Sequence, residues 1–217
     1  MSTPRLITLT DPRSAAAEAY RTLRTNLMFT GVDRPLTTIL LTSSKAPEDK
    51  SIALANLAVT CAQAGHPTII VDADLRRPAQ HEIWGIDAAR GLTTMMLEDT
   101  ALSTPPLTAT SVPRLHVLAS GALPPIPADV LSSPRMGEII GVLKARAQYI
   151  FFDCPPVLAA SDAAILGAKL DGAVLVVRAG ATRRDDAARA RQTLERVNVR
   201  VLGALLTNGA RENTAVY

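Results

Sequence analysis

Three short stretches carry residue types suited to phosphate chemistry. The first reads Ser43-Ser44-Lys45-Ala46-Pro47-Glu48-Asp49-Lys50-Ser51 and lies between an apolar run and a segment of helical length. Phosphate-binding loops occupy that position: backbone N–H groups and a helix N-terminus hold phosphates, a Lys reaches the outer ones, and a Ser hydroxyl binds magnesium. Lys50 and Ser51 stand at the last two places. The second stretch, Thr68-Ile69-Ile70-Val71-Asp72-Ala73-Asp74-Leu75-Arg76, is an apolar run ending in two carboxylates; the third, Tyr149-Ile150-Phe151-Phe152-Asp153-Cys154-Pro155-Pro156, ends in one. At the C-terminal ends of parallel strands, carboxylates face the crevice where α/β sheets bind ligands. One can hold magnesium, and another can take a proton from an attacking hydroxyl. A single strand-end Asp is more simply a helix cap. Three motifs in this order and spacing argue for chemistry instead.

The loop departs from the usual pattern at two places. Asp49 stands where a glycine normally precedes the Lys, and Pro47 stands at a second glycine position. Glycine lets the backbone approach a ligand closely and take φ above zero. A carboxylate 4 to 6 Å from a phosphate, at an effective dielectric near 20, would repel it by roughly 3 to 4 kcal/mol before screening. Pro47 has no N–H to donate. Taken alone, the loop could equally be a polar strand-to-helix turn.

The elements that must position these groups follow from hydrophobic patterning. Short β-branched runs at 37–42, 67–71, 115–118, 149–152, 173–178 and 201–206 read as buried strands. Helical-length segments at 51–65, 132–147, 162–170 and 183–197 lie between them, so the fold class is α/β: a doubly wound, mostly parallel sheet flanked by helices. Before the first strand, residues 14–29 place Ala16, Tyr20, Leu23 and Leu27 at an approximate helix period, with Glu18, Arg21 and Arg24 on a second stripe. This is an extra N-terminal amphipathic helix. Residues 103–113 and 123–127 are Pro-rich and read as surface connections.

With 217 residues and 47% apolar composition the chain can build one substantial core, which excludes disorder as its main state. A net charge of +3 and 3% aromatics do not suggest nucleic acid as a partner. The two cysteines, Cys61 and Cys154, read as reduced thiols, and no apolar run is long enough to span a bilayer. A cytoplasmic location is expected.

Together with Glu18-Ala19-Tyr20-Arg21-Thr22-Leu23-Arg24-Thr25-Asn26, Arg77-Pro78, Gly121-Ala122-Leu123-Pro124-Pro125 and Leu175-Val176-Val177-Arg178-Ala179-Gly180, the three motifs make the chain resemble a bacterial tyrosine kinase of the capsule and exopolysaccharide type. That family is related to the cell-division-site and plasmid-partition ATPases. The resemblance runs from about Ser14 to Gly209 and implies a P-loop fold, with residues 1–35 as an N-terminal segment bearing an oligomerisation helix, 36–209 as the kinase-like domain and 210–217 as a short polar tail. It implies that Lys50 and Ser51 contact ATP and magnesium, that Asp72 and Asp74 serve catalysis and metal binding, and that Asp153 is the Walker B carboxylate. Asn208 would lie near the adenine, or serve only as a turn residue. Glu18, Arg21 and Arg24 would form a subunit contact in a ring or dimer; on a solvated helix face their spacing would look the same. Tyr217 is the single candidate phosphoacceptor in the tail, since Tyr20 and Tyr149 fall in packed elements. A membrane-embedded polysaccharide co-polymerase would be the activating partner, placing the chain peripherally at the inner membrane. Two other readings stay open. Pro47 and Asp49 motivate a pseudokinase scaffold with little nucleotide affinity, while Lys45, five residues before Lys50, would in an ATP-gated partition-type dimer reach the partner's phosphates. Asp162 is expected to cap a helix.

Overall fold

Successive residues of the central strands feed two different cores, which is what a sheet covered on both faces requires. Leu40, Ile69, Val71, Ile150, Phe152, Ala173 and Leu175 point into one core. Ile39, Leu41, Ile70, Phe151, Val174 and Val176 point into the other. Phe151 and Phe152 are fully buried back to back, each stabilising the fold by about 1.5–3 kcal/mol through burial.

The computed structural model describes residues 6–30, 35–46 and 48–209. Pro47, the first residues of the N-terminal segment and the 210–217 tail with Tyr217 lie outside the described residues. In chain order the elements are α1 (Ile7–Thr10), α2 (Ala15–Thr30), β1 (Thr38–Ser43), α3 (Lys50–Gln63), β2 (Thr68–Asp72), α4 (Gln80–Trp84), α5 (Leu92–Leu97), α6 (Thr100–Ser103), β3 (Thr108–Ala109), β4 (Leu115–Leu118), α7 (Pro127–Ser132), α8 (Pro134–Lys144), β5 (Tyr149–Asp153), α9 (Asp162–Gly167), β6 (Gly172–Arg178), α10 (Arg184–Glu195) and β7 (Val201–Thr207). They form a seven-stranded sheet of order β3-β4-β2-β5-β1-β6-β7. All neighbouring strands run parallel except β3, which pairs antiparallel with β4.

The six strands expected from the apolar runs are present. The seventh, β3, falls inside the 103–113 stretch read as a connection; it is two residues long, and pairing with β4 rather than any apolar pattern makes it a strand. The helix expected over 132–147 is α8, which Pro134 opens at its first position; the short α7 that precedes it is not among the expected helices and begins at Pro127, the last residue of the stretch read as a connection. Three short helices fill the span between β2 and β3. The first turn of α5 lies against the end of β4: Leu92 N–H donates to Ala119 O at 2.8 Å, and a Cβ at Gly91 would stand 2.0 Å from that same oxygen, so only glycine fits.

The N-terminal helix belongs to this architecture rather than standing apart from it. Tyr20 and Leu23 pack on the second core and Leu27 is buried there. Buried Asn56 of α3 accepts from the Thr8 N–H at 3.0 Å and its hydroxyl at 2.9 Å, fastening α1 to the same surface.

At the opposite end of the sheet from the motifs, Asp171 accepts from the N–H groups of Thr37 and Thr38, the Thr38 hydroxyl and Lys144. Burial pushes its carboxyl up, but these donors outweigh burial and leave it below the usual range. The unfolded chain binds that proton at higher pH, so the stabilisation is complete above the ordinary carboxylate range and is lost as pH falls through the lowered folded value. Asp171→Asn should therefore cost about 1–2 kcal/mol in urea unfolding at neutral pH and much less in strong acid. An equal loss at both would show that charge is not what Asp171 contributes.

Candidate active site

Strand order sets the site. The three motifs end β1, β2 and β5, which are contiguous in the sheet, and Asp72 and Asp153 are register partners. After Ser43 the chain turns through 44–49 into α3. Asp49 takes φ 54° and ψ 25°, the left-handed conformation for which glycine is expected and which Asp tolerates better than most residues. No side chain caps the first turn of α3, so its leading N–H groups remain available to an anion. Lys50, Ser51 and Ile52 line a cavity of about 350 Å³ together with Asp74, Arg77 and Pro156.

Lys50 is the hub. Its Nζ lies 2.7 Å from Asp153 Oδ1, 2.9 Å from Asp74 Oδ2 and 3.2 Å from Ser51 Oγ. Burial alone would lower its pKa, but the Asp153 and Asp74 charges outweigh burial and hold it above the ordinary lysine range. Asp153 is fully buried, and its second oxygen accepts from Gln80 Nε2 at 2.8 Å. The same Gln80 nitrogen donates to Ser51 O at 3.1 Å, while Trp84 Nε1 donates to Gln80 Oε1. No local motif marks Gln80; it functions here because α4 begins where Asp72 holds its backbone.

Asp72 and Asp74 have different places. Asp74 lines the cavity, and its Oδ1 accepts from the Arg77 N–H at 3.0 Å. Asp72, expected beside Asp74 as a catalytic residue, is fully buried beneath the cavity and does not line it. Its Oδ2 accepts from the Ala79 and Gln80 N–H groups, and its Oδ1 has no partner among the described residues. The end of the strand explains the difference: alternation alone would place 72 and 74 on one face, but Asp72 is still a paired strand residue and Asp74 lies beyond the strand end. Burial, and then the Asp153 charge, pushes the Asp72 carboxyl up to about 7. Protonation near neutrality relieves a cluster in which one Lys faces three carboxylates.

Other expectations resolve differently. Asp162 does not cap α9; its fully buried carboxylate takes Arg76 Nε and Nη2 at 2.8 and 2.9 Å, tying the segment after β2 to α9. Lys45 pairs with Asp186 of α10 at 2.8 Å and does not line the cavity. Asn208 has φ 53° and donates weakly to Ala179 O, the geometry of a turn residue. On α2, Arg21 pairs with Glu18 at 2.7 Å and Arg24 donates to Thr60 O near the C-terminus of α3, so both arginines have partners within the chain. No local motif marks Glu48. It is buried, and its carboxylate accepts from the Ser44 and Lys45 N–H groups and from the Ser44 and Thr182 hydroxyls. Cys154 is fully buried next to Asp153, and burial pushes its thiol well up.

Removing one member of a buried ion cluster strands the others. Lys50→Met should lower the stability of the ligand-free protein by about 3–5 kcal/mol in urea unfolding at neutral pH. An unchanged midpoint at neutral pH would show that the carboxylates do not depend on this lysine.

No family model matches the chain. A tyrosine-protein kinase of Bacillus subtilis, YwqD, is 40% identical over 206 residues, covering 95% of this chain and 86% of its own length. The kinase domain of the Escherichia coli tyrosine kinase ETK superposes with a TM-score of 0.89 at 25% identity, over 100% of this chain and 85% of that one. The septum site-determining protein MinD complexed with Mg-ADP, from Pyrococcus horikoshii, shares the fold at 23% identity, with a TM-score of 0.62 over 82% of this chain and 72% of its own. With the P-loop, the two Asp-ended strands and this likeness in hand, the chain belongs to the bacterial tyrosine-protein kinases.

Proposed function

We propose that the chain transfers the terminal phosphoryl group of ATP to tyrosine hydroxyls, and that it does so in regulating capsule or exopolysaccharide synthesis and export. The observation that carries this reading is Lys50 held between Asp74 and Asp153 at the mouth of an uncapped helix N-terminus. Phosphoryl transfer needs positioning and charge stabilisation more than covalent help, and these groups supply both.

The donor set fits a magnesium–nucleotide complex. One lysine leaves the carboxylate cluster with negative charge to spare, and a hydroxyl sits beside it at Ser51. The described residues hold no group of three or more His, Cys, Asp or Glu placed for a metal. Magnesium keeps waters and takes part of its shell from phosphates, so it needs few ligands from the protein. Ser51 and Asp74, which line the cavity, would hold it, with Asp153, fully buried behind Lys50, as the third carboxyl-edge ligand once Lys50 turns to the phosphates; once bound it would neutralise charge on the phosphate oxygens. The first-turn N–H groups of α3 and the Lys50 ammonium bind and orient the phosphates. Asp74, the strand-end carboxylate that reaches the cavity, takes the tyrosine proton as the phosphoryl group passes to the phenol oxygen and ADP leaves. Asp72 fixes the turn that carries Asp74.

Tyr217 as tail acceptor, a second copy meeting α2 through Glu18, Arg21 and Arg24, and a membrane-embedded activator at the inner membrane belong to the same reading. The scaffold alternative draws on Asp49, which lines the cavity. The partition-type dimer draws on Lys45, whose ammonium Asp186 of its own chain already holds.

Calorimetric titration with Mg-ATP and Mg-ADP, followed by phosphotyrosine detection, tests the proposal. Micromolar binding is expected, and Asp74→Asn should reduce transfer about 100-fold or more while leaving binding within reach of measurement. Absence of heat with either nucleotide would sink the kinase reading in favour of the scaffold.

A further inference from the structure

We infer that Arg178 is a positioning residue that makes a carboxylate at position 49 compatible with phosphate binding, by drawing that carboxylate into an ion pair. The inference rests on the nucleotide reading of the cavity and goes beyond it by explaining how a loop lacking its glycine can still serve.

The structure brings the segment from the end of β6 into α10 against the loop at three places. Arg178 Nη1 lies 3.2 Å from Asp49 Oδ2. The Thr182 hydroxyl donates to the Glu48 carboxylate. Lys45 pairs with Asp186. The turn that presents Arg178 is closed on itself: Arg178 N–H donates to Thr182 Oγ1 at 2.9 Å, and Thr182 N–H returns to Arg178 O at 2.9 Å. The next residue, Ala179, donates to Thr207 O of β7. The guanidinium is therefore offered from a fixed backbone, and the loop carboxylate meets it from a fixed left-handed conformation at φ 54°.

Each feature has a physical consequence for an incoming polyanion. Glycine at position 49 would bring no charge. Asp there brings a negative charge at the edge of the cavity, and a cation at 3.2 Å offsets part of its field at phosphate distance. The pair is 33% and 44% exposed at its side chains, so water weakens its contribution to folding. Its effect on a bound anion is of another kind: the guanidinium stands beside a carboxylate that lines the cavity and holds it on the β6 side of the loop. Burial, and then the Asp49 charge, also pushes the Tyr20 phenol up to about 12, so the carboxylate is felt on the α2 side of the loop. Lys45, the other cation within the loop, is already committed to Asp186 and leaves this task to Arg178.

The test is a double-mutant cycle read by calorimetric Mg-ATP affinity, with circular dichroism confirming that each protein is folded. Arg178→Gln should weaken binding about tenfold in the native background. In the Asp49→Asn background, which keeps the shape and left-handed tolerance but removes the charge, it should weaken binding about twofold or less. Arg178→Lys should keep affinity within about threefold, a rescue that a purely structural role would not show. Equal losses in both backgrounds would overturn the inference, because Arg178 would then act on the nucleotide itself. So would unchanged affinity in Arg178→Gln. If the native chain binds no Mg-ATP but Asp49→Asn does, masking fails although the cavity is a nucleotide site; if neither binds, the nucleotide reading and the inference fall together.

Discussion

Lys50 keeps its charge at the carboxyl edge of the sheet, where Asp74 and Asp153 each lie within hydrogen-bonding distance and Asp72 stands across the strand register from Asp153. Charges withdrawn from water are tolerated only when paired and hydrogen-bonded, so this arrangement constrains everything around it. β2, β5 and β1 must be neighbours, or the carboxylates and the lysine would not meet. α3 must start at Lys50, or the ammonium would point elsewhere. Gln80 must lie under the loop, since Asp153 needs a donor for its second oxygen and gets it from that amide. Asp72 meets the same constraint by another route, holding a proton near neutrality because burial and Asp153 disfavour its charge.

The loop in front of this cluster is shaped by side chains where glycines would ordinarily leave the backbone to itself. Glu48 folds back onto the Ser44 and Lys45 N–H groups and reaches Thr182 beyond them. Asp49 holds the left-handed turn, Lys45 is moored to α10, and the β6 turn supplies the opposite wall. A loop fixed in this way is less adaptable than a glycine-rich one, and its conformation depends on residues more than 100 positions away in the chain.

Much of this was legible in the sequence. Apolar runs gave the six longer strands, because fully buried parallel strands have no polar face to blur the pattern. The carboxylates could be located because strand ends are visible in such runs. What escaped depended on tertiary contact. β3 is a strand only by pairing with β4; Gln80 matters only because Asp72 holds the start of α4; Asp162 looked like a helix cap and is instead the buried partner of Arg76. For Arg21 and Arg24, spacing gives the shared helix face but not the partners within the chain, Glu18 and the Thr60 carbonyl. Asp72 and Asp74 look equivalent as an Asp-x-Asp pair, and only the end of the strand between them separates a buried carboxyl from one in the cavity.

Cys154 follows Asp153 directly and is fully buried, with a thiol pushed well above its ordinary pKa. Alkylating agents and peroxides attack thiolates that they can reach, and this sulfur offers neither the thiolate nor the access. The centre is thereby insulated from oxidant signalling while folded, and a thiol probe would react there only when the strand edge comes apart. The rate of Cys154 labelling therefore reports on the opening of that edge.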